Sequence, residues 1–168
     1  MCEILDYVNF DSIREAASKW YLGYSDNTNF TFLLTTLCDT ASIYGPCAGA
    51  FGMEPWDGAV EDAFALLHGK KLVNHGYPLW EKEDWPEDVQ TPYSPYHLTE
   101  KRVLHGYAPV NGKLEETNEP IHMEGRLIGG CLDCLVNLVG TRYDKVAEFV
   151  ERYKEDGIIW FLESCDLN

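Results

Sequence analysis

The stretch KWYLGYSDNTNFTFLL, residues 19–34, decides how the chain is read. Its first six residues form a short, largely apolar run that contains Gly23, and they read as a buried strand. Ser25, Asp26, Asn27 and Thr28 follow, and then Phe30, Leu33, Leu34 and Leu37 repeat with spacings of three, one and three. That spacing predicts a helix with one buried face. A strand that runs through a tight turn straight into a helix has the layout of a nucleophile elbow. Gly23 two before the serine and Asn27 two after it suit a strained backbone, because both tolerate left-handed angles. The backbone N–H of Asp26, at the start of the helix, could then stabilise an oxyanion. A plainer reading stands beside this one: Ser25 or Asp26 simply caps the helix, as such residues commonly do.

The neighbouring segments extend the pattern. Residues 11–18 read as a short helix capped by Asp11, and ASIYGP (41–46) reads as a second strand stopped by Gly45-Pro46. WDGAVEDAFALLHGKK (56–71) is an amphipathic helix capped by Asp57 and closed by Gly69. Strands and helices in alternation predict an open α/β sheet. Between 74 and 100 the character changes, with Pro78, Pro86, Pro92 and Pro95, two tryptophans and several acids, and we expect an aromatic loop. Short strands follow in RVLHGYA, PIHMEG and RLIGG, then a helix near 131–139, a charged helix ended by Gly157, and a buried strand IIWFLE at 158–163. The expected division is an α/β piece (1–73), the loop (74–100) and an α+β piece (101–168).

Composition narrows the function. The 168 residues carry 28 acidic and 13 basic side chains, a formal charge of −15. Such a chain repels phosphate backbones, so nucleic acid is not an expected partner, and neither is an anionic membrane surface. No apolar run reaches the roughly 20 residues that span a bilayer. The first ten residues are acidic and lack the apolar segment of a secretory signal. Six cysteines in a chain this apolar read as free thiols in a reducing, cytoplasmic setting.

Three blocks, KWYLGYSDNTNFTFLL with ASIYGP, GRLIGGCLDCLVNLVGTRYD and IIWFLESCDLN, together resemble the serine LD-carboxypeptidase family and most of all its branch of microcin C immunity peptidases. The resemblance implies part of an N-terminal Rossmann-like α/β domain followed by part of a C-terminal β-rich α+β domain. It implies a Ser-Glu-His triad that hydrolyses amide bonds, with Ser25 as nucleophile and Glu163 as the acid. It implies substrates that are LD-linked muropeptide tails or peptidyl- and aminoacyl-nucleotide antibiotics. In the immunity branch a loop tryptophan stacks on the base, and Trp80 and Trp85 are the candidates. No cofactor is implied. The family's base histidine would follow Asn168 and its glycine-rich oxyanion turn would precede Met1, so an internal piece of a longer peptidase is expected, inactive alone. An uncovered sheet edge would make such a piece associate, swap elements or need its missing pieces, and a homodimer is expected.

The remaining features admit bland readings. His68 reads as a helix-end residue, and His75, His97, His105 and His122 as structural or solvated. Cys131-Leu-Asp-Cys134 lacks the second ligand pair of a zinc site and reads as a helix start. Gly129 and Gly130 are either an ordinary turn or a source of backbone N–H groups for a substrate carboxylate. The acidic run EKEDWPED reads as a solvated loop face. Without an acid–base partner in sight, the alternative is a non-catalytic ligand-binding or dimerisation module.

Overall fold

A computed structural model describes residues 1–70, 73–82, 91 and 93–164. In chain order the elements are α1 (Phe10–Glu15), β1 (Leu22–Gly23), α2 (Thr28–Thr36), β2 (Ile43–Tyr44), α3 (Gly58–Leu67), β3 (Leu79–Trp80), β4 (Glu100–Lys101), β5 (Gly106–Val110), β6 (Lys113–Thr117), β7 (Arg126–Cys131), α4 (Leu132–Leu135), α5 (Val146–Tyr153) and β8 (Ile158–Glu163). Helices and strands are mixed throughout, the α/β fold expected from the sequence.

The residues pack as two compact units. One joins Met1–Phe51 with Glu124–Asn168, and the other is Gly52–Met123. The expected sequential division at 73 and 100 cuts across the second unit, because the chain leaves the first unit after β2 and returns to it at β7.

In the first unit, β1 pairs with β2 in parallel, Gly23 opposite Tyr44. A second parallel pair, β7 with β8, sets Gly129 opposite Phe161 and Cys131 opposite Glu163. Parallel pairing needs a long crossover, and α2 supplies it between β1 and β2. The core gathers around α2, where Phe32 and Leu33 pack with Leu5, Ile128, Leu135, Leu138 and Phe149. Leu33 is fully buried, as the helical spacing predicts. Polar links tie the two segments together: Arg142 and Tyr143 both reach Asp6, and the Tyr153 hydroxyl reaches Asp39.

Several sequence expectations change in detail. The cap of α1 is Asn9, whose side chain accepts the Ser12 N–H, rather than Asp11. The strands expected over 19–24 and 41–46 shrink to two residues each. PIHMEG forms no strand. Gly129-Gly130 is not a turn but the interior of β7, where both residues are buried.

In the second unit, the Asp57 side chain caps α3 by accepting the Ala59 N–H, and Gly69 ends the helix with φ +63°, as read from the sequence. His68 stands at the helix C-cap, its Nδ1 2.9 Å from the Phe64 carbonyl. β3 pairs with β4, and β5 with β6, both antiparallel. The β5–β6 hairpin turns through Asn111-Gly112, both at positive φ, the backbone that this dipeptide favours.

Candidate active site

The first unit brings four strand ends together. β1, β2, β7 and β8 all deliver their last residues, or the turn just beyond, to one cluster. Carboxyl ends of parallel strands are where open α/β sheets place their chemistry.

Ser25 follows β1 and opens a single 3₁₀ turn, Ser25–Asn27, that leads directly into α2. Its φ is +56°, in the left-handed region that a side chain other than glycine seldom occupies. Strain of this kind persists only where surrounding structure enforces it. Gly23 is part of that enforcement. A Cβ there would stand 2.6 Å from Asn27 Cγ, so the turn closes tightly only over a glycine. The Asn27 side chain in turn donates to the Tyr24 carbonyl and accepts from the Tyr21 hydroxyl at 2.6 Å. Ser25 itself is exposed.

Glu163 is the last residue of β8 and is exposed, as the sequence predicts for a strand-end carboxylate. Ser25 and Glu163 are joined through Tyr44, the last residue of β2. The Ser25 N–H donates to the Tyr44 hydroxyl oxygen at 3.0 Å, and that hydroxyl donates to Glu163 Oε1 at 2.6 Å. Thr28 Oγ1 lies 3.4 Å from the same phenol oxygen and accepts the Cys131 N–H at 3.0 Å. The Tyr44 ring packs on Phe161, with centroids 5.2 Å apart. Burial, with the bond to Glu163 next, pushes the Tyr44 phenol up to about 12. The phenol is therefore a neutral donor at any physiological pH.

Because the Ser25 N–H is committed to Tyr44, it is not free to hold an oxyanion. Asp26 sits beside it on the surface, its carboxylate taken by the Asn29 side chain and the Met1 amino group. Gly129 and Gly130 lie on β7 beside this cluster. A Cβ on Gly129 would overlap the carbonyl oxygen of Phe161, and one on Gly130 would stand 2.6 Å from Thr28 Cγ2. The Cys131 thiol bonds Asp133, and the Cys134 thiol lies 3.6 Å from the Ser25 carbonyl. The C-x-x-C pair thus packs against the serine turn. Among the described residues, no group of three or more acidic, histidine or cysteine side chains could hold a metal ion.

The sequence reading missed Tyr44 and Thr28. The only local signal for Tyr44 was its place before Gly45-Pro46 at a strand end. All five histidines belong to the second unit, so the unit that carries Ser25 and Glu163 contains none. Trp80 also belongs to the second unit, on β3, half-exposed with its indole N–H on the Lys101 carbonyl. Trp85 lies outside the described residues.

Residues 1–45 match the LD-carboxypeptidase N-terminal domain, and residues 124–168 match the LD-carboxypeptidase C-terminal domain. Both matches fall in the first unit and together span more than half of the chain. No curated protein matches the sequence. Among solved structures, the microcin C7 self-immunity protein MccF in an inactive mutant, ligand-free state aligns over 97% of this chain and 44% of its own, at 22% identity and a TM-score of 0.55. MccF in complex with glutamyl sulfamoyl guanosine gives the same values. A tryptophan-to-phenylalanine mutant of MccF with adenosine monophosphate aligns at 24% identity and a TM-score of 0.56. This chain spans less than half the length of those structures. Among the described residues no helix is long and apolar enough to cross a membrane. Matched by both domain models, with the serine turn in one match and the strand-end glutamate in the other, the chain belongs to the LD-carboxypeptidase family.

Proposed function

We propose that this chain carries the nucleophile and the acid of a Ser-Glu-His amide hydrolase, with Ser25 and Glu163 in those roles. The observation that supports it most is Ser25, held at φ +56° on a strand-to-helix turn and joined through one phenol to Glu163. Ser25 Oγ would attack the scissile carbonyl carbon while a histidine takes its proton. The Asp26 N–H would help to hold the oxyanion, and the amine would leave with the proton returned by that histidine. Water would then hydrolyse the acyl-enzyme by the reverse proton path. Glu163 would orient the histidine and stabilise its charged form.

The substrate is a peptide whose C-terminal amide is cut: an LD-linked muropeptide tail or a peptidyl- or aminoacyl-nucleotide conjugate. MccF binds glutamyl sulfamoyl guanosine and adenosine monophosphate, which favours the second class. Trp80 and Trp85 would then stack on the base, and Gly129 and Gly130 would contribute to the substrate cleft. The protein acts in the cytoplasm.

The 168-residue chain is inactive alone, because none of its five histidines matches the position of the family's base. Missing a triad member costs several orders of magnitude in rate. The same absence favours a second reading, a ligand-binding or dimerisation module. An apolar groove of about 450 Å³ lined by Phe32, Leu135, Val139, Trp160 and Leu162 supports self-association as a homodimer.

A fluorophosphonate probe separates these readings. Slow labelling that maps to Ser25, that imidazole in the buffer accelerates, and that S25A lacks is the expected result. No labelling at Ser25 would favour the binding module. Steady release of D-alanine from a muropeptide by the chain alone would refute its inactivity. Sedimentation equilibrium reads the association state, and a monomer at all concentrations would exclude the homodimer.

A further inference from the structure

We infer that Tyr44 is a positioning residue that holds the nucleophile turn and the acid in register. The inference rests on the assignment of Ser25 and Glu163 above and adds a side chain to it. Four observations carry it. The phenol oxygen accepts the N–H of the serine whose backbone is in the left-handed region. Its proton goes to Glu163 Oε1 at 2.6 Å, across 119 positions of sequence. Its ring is fixed from the β8 side by Phe161, the second residue before Glu163. Thr28, fully buried, reaches the same oxygen from α2.

Each of these contacts removes a freedom. The Ser25 N–H bond offsets the cost of the left-handed turn. The bond to Glu163 occupies one carboxylate oxygen and so leaves the other to meet an imidazolium in a set direction. One rigid phenol therefore fixes the distance between the residue that attacks and the residue that orients the base. Catalytic geometry tolerates little error in that distance. Tyr44 touches no reacting atom, so its contribution is to placement alone.

The Y44F variant tests this in the full chain, since it keeps the ring on Phe161 and removes only the hydroxyl. Fluorophosphonate labelling of Ser25 is read as a maximal rate and a half-saturation concentration, with the carboxyl carbon resonance of Glu163 and the melting temperature beside them. In Y44F we expect the maximal rate to fall about tenfold or more, since the bonds to the Ser25 N–H and to Glu163 are both lost, with half-saturation unchanged. The Glu163 resonance should move and the melting temperature should hold within a few degrees. A purely structural role would lower the melting temperature and leave the rate of the folded fraction intact, and that outcome overturns the inference. So does wild-type kinetics in Y44F with the Glu163 resonance unmoved. A wild-type chain that labels no faster than S25A fails differently: it overturns the assignment of the nucleophile, and the role of Tyr44 falls with it.

Discussion

Thr28 Oγ1 accepts the backbone N–H of Cys131 at 3.0 Å from a position with no solvent exposure. Its hydroxyl lies 3.4 Å from Tyr44, so one buried threonine touches both the end of β7 and the end of β2. Removing the hydroxyl while keeping the shape isolates its worth. Thr28→Val leaves the Cys131 N–H without its partner, and such an orphaned group costs about 1–3 kcal/mol. Urea denaturation should show that loss with an unchanged slope.

Gly129 offers a sharper test of the β7–β8 pair. Its φ is +151°, and an added Cβ would overlap the Phe161 carbonyl oxygen, which belongs to the strand and cannot swing away. Gly129→Ala should destabilise the chain by about 3 kcal/mol or more. Gly49→Ala is the control, because a Cβ there meets nothing within 4 Å, and it should stay within about 0.5 kcal/mol. Thermal unfolding of the two variants side by side decides the matter.

Tyr44 should also be visible in a spectrophotometric titration. Burial holds its phenol up to about 12, against 10.0 for an ordinary tyrosine. The folded chain favours the neutral phenol, so this stabilisation is complete below pH 10 and disappears as pH rises towards 12. Absorbance near 295 nm should contain a late component near pH 12 that Y44F lacks. Y44F should likewise lose less stability than the wild type between pH 10 and 12.

The cysteines should divide by reactivity. Cys131 is 2% exposed, and burial, then its bond to Asp133, push its thiol up to about 11. Cys2 is exposed. At pH 8 iodoacetamide should modify Cys2 within minutes and leave Cys131 intact in the folded chain, with mass spectrometry of the digest as the readout. Equal labelling of both would mean that β7 opens readily.

The serine turn was legible because its chemistry is local. Gly23, Ser25 and Asn27 lie within five residues, and the need for a glycine at 23 arises from contact with Asn27. The Asp57 cap and the Gly69 stop of α3 were legible for the same reason. Glu163 could be placed at a strand end but not next to anything. Its partner Tyr44 is 119 positions away, and no periodicity reports such a contact. RLIGG was read as a strand, and β7 bears that out, while the role of its glycine pair stayed open. A glycine pair suggests a turn, yet here the close approach of Phe161 and Thr28 demands it inside a strand. The cap of α1 moved from Asp11 to Asn9 because either residue offers a side-chain oxygen, and only the backbone path chooses between them.

The first unit is made of two segments with the whole second unit between them. This has a consequence for synthesis. At about 5–20 residues per second, α2 leaves the ribosome several seconds before Ile128, Leu135, Leu138 and Phe149 exist to cover it. During that interval Leu5 alone of its buried core partners is there to meet its apolar face, and most of that face stays uncovered in the nascent chain.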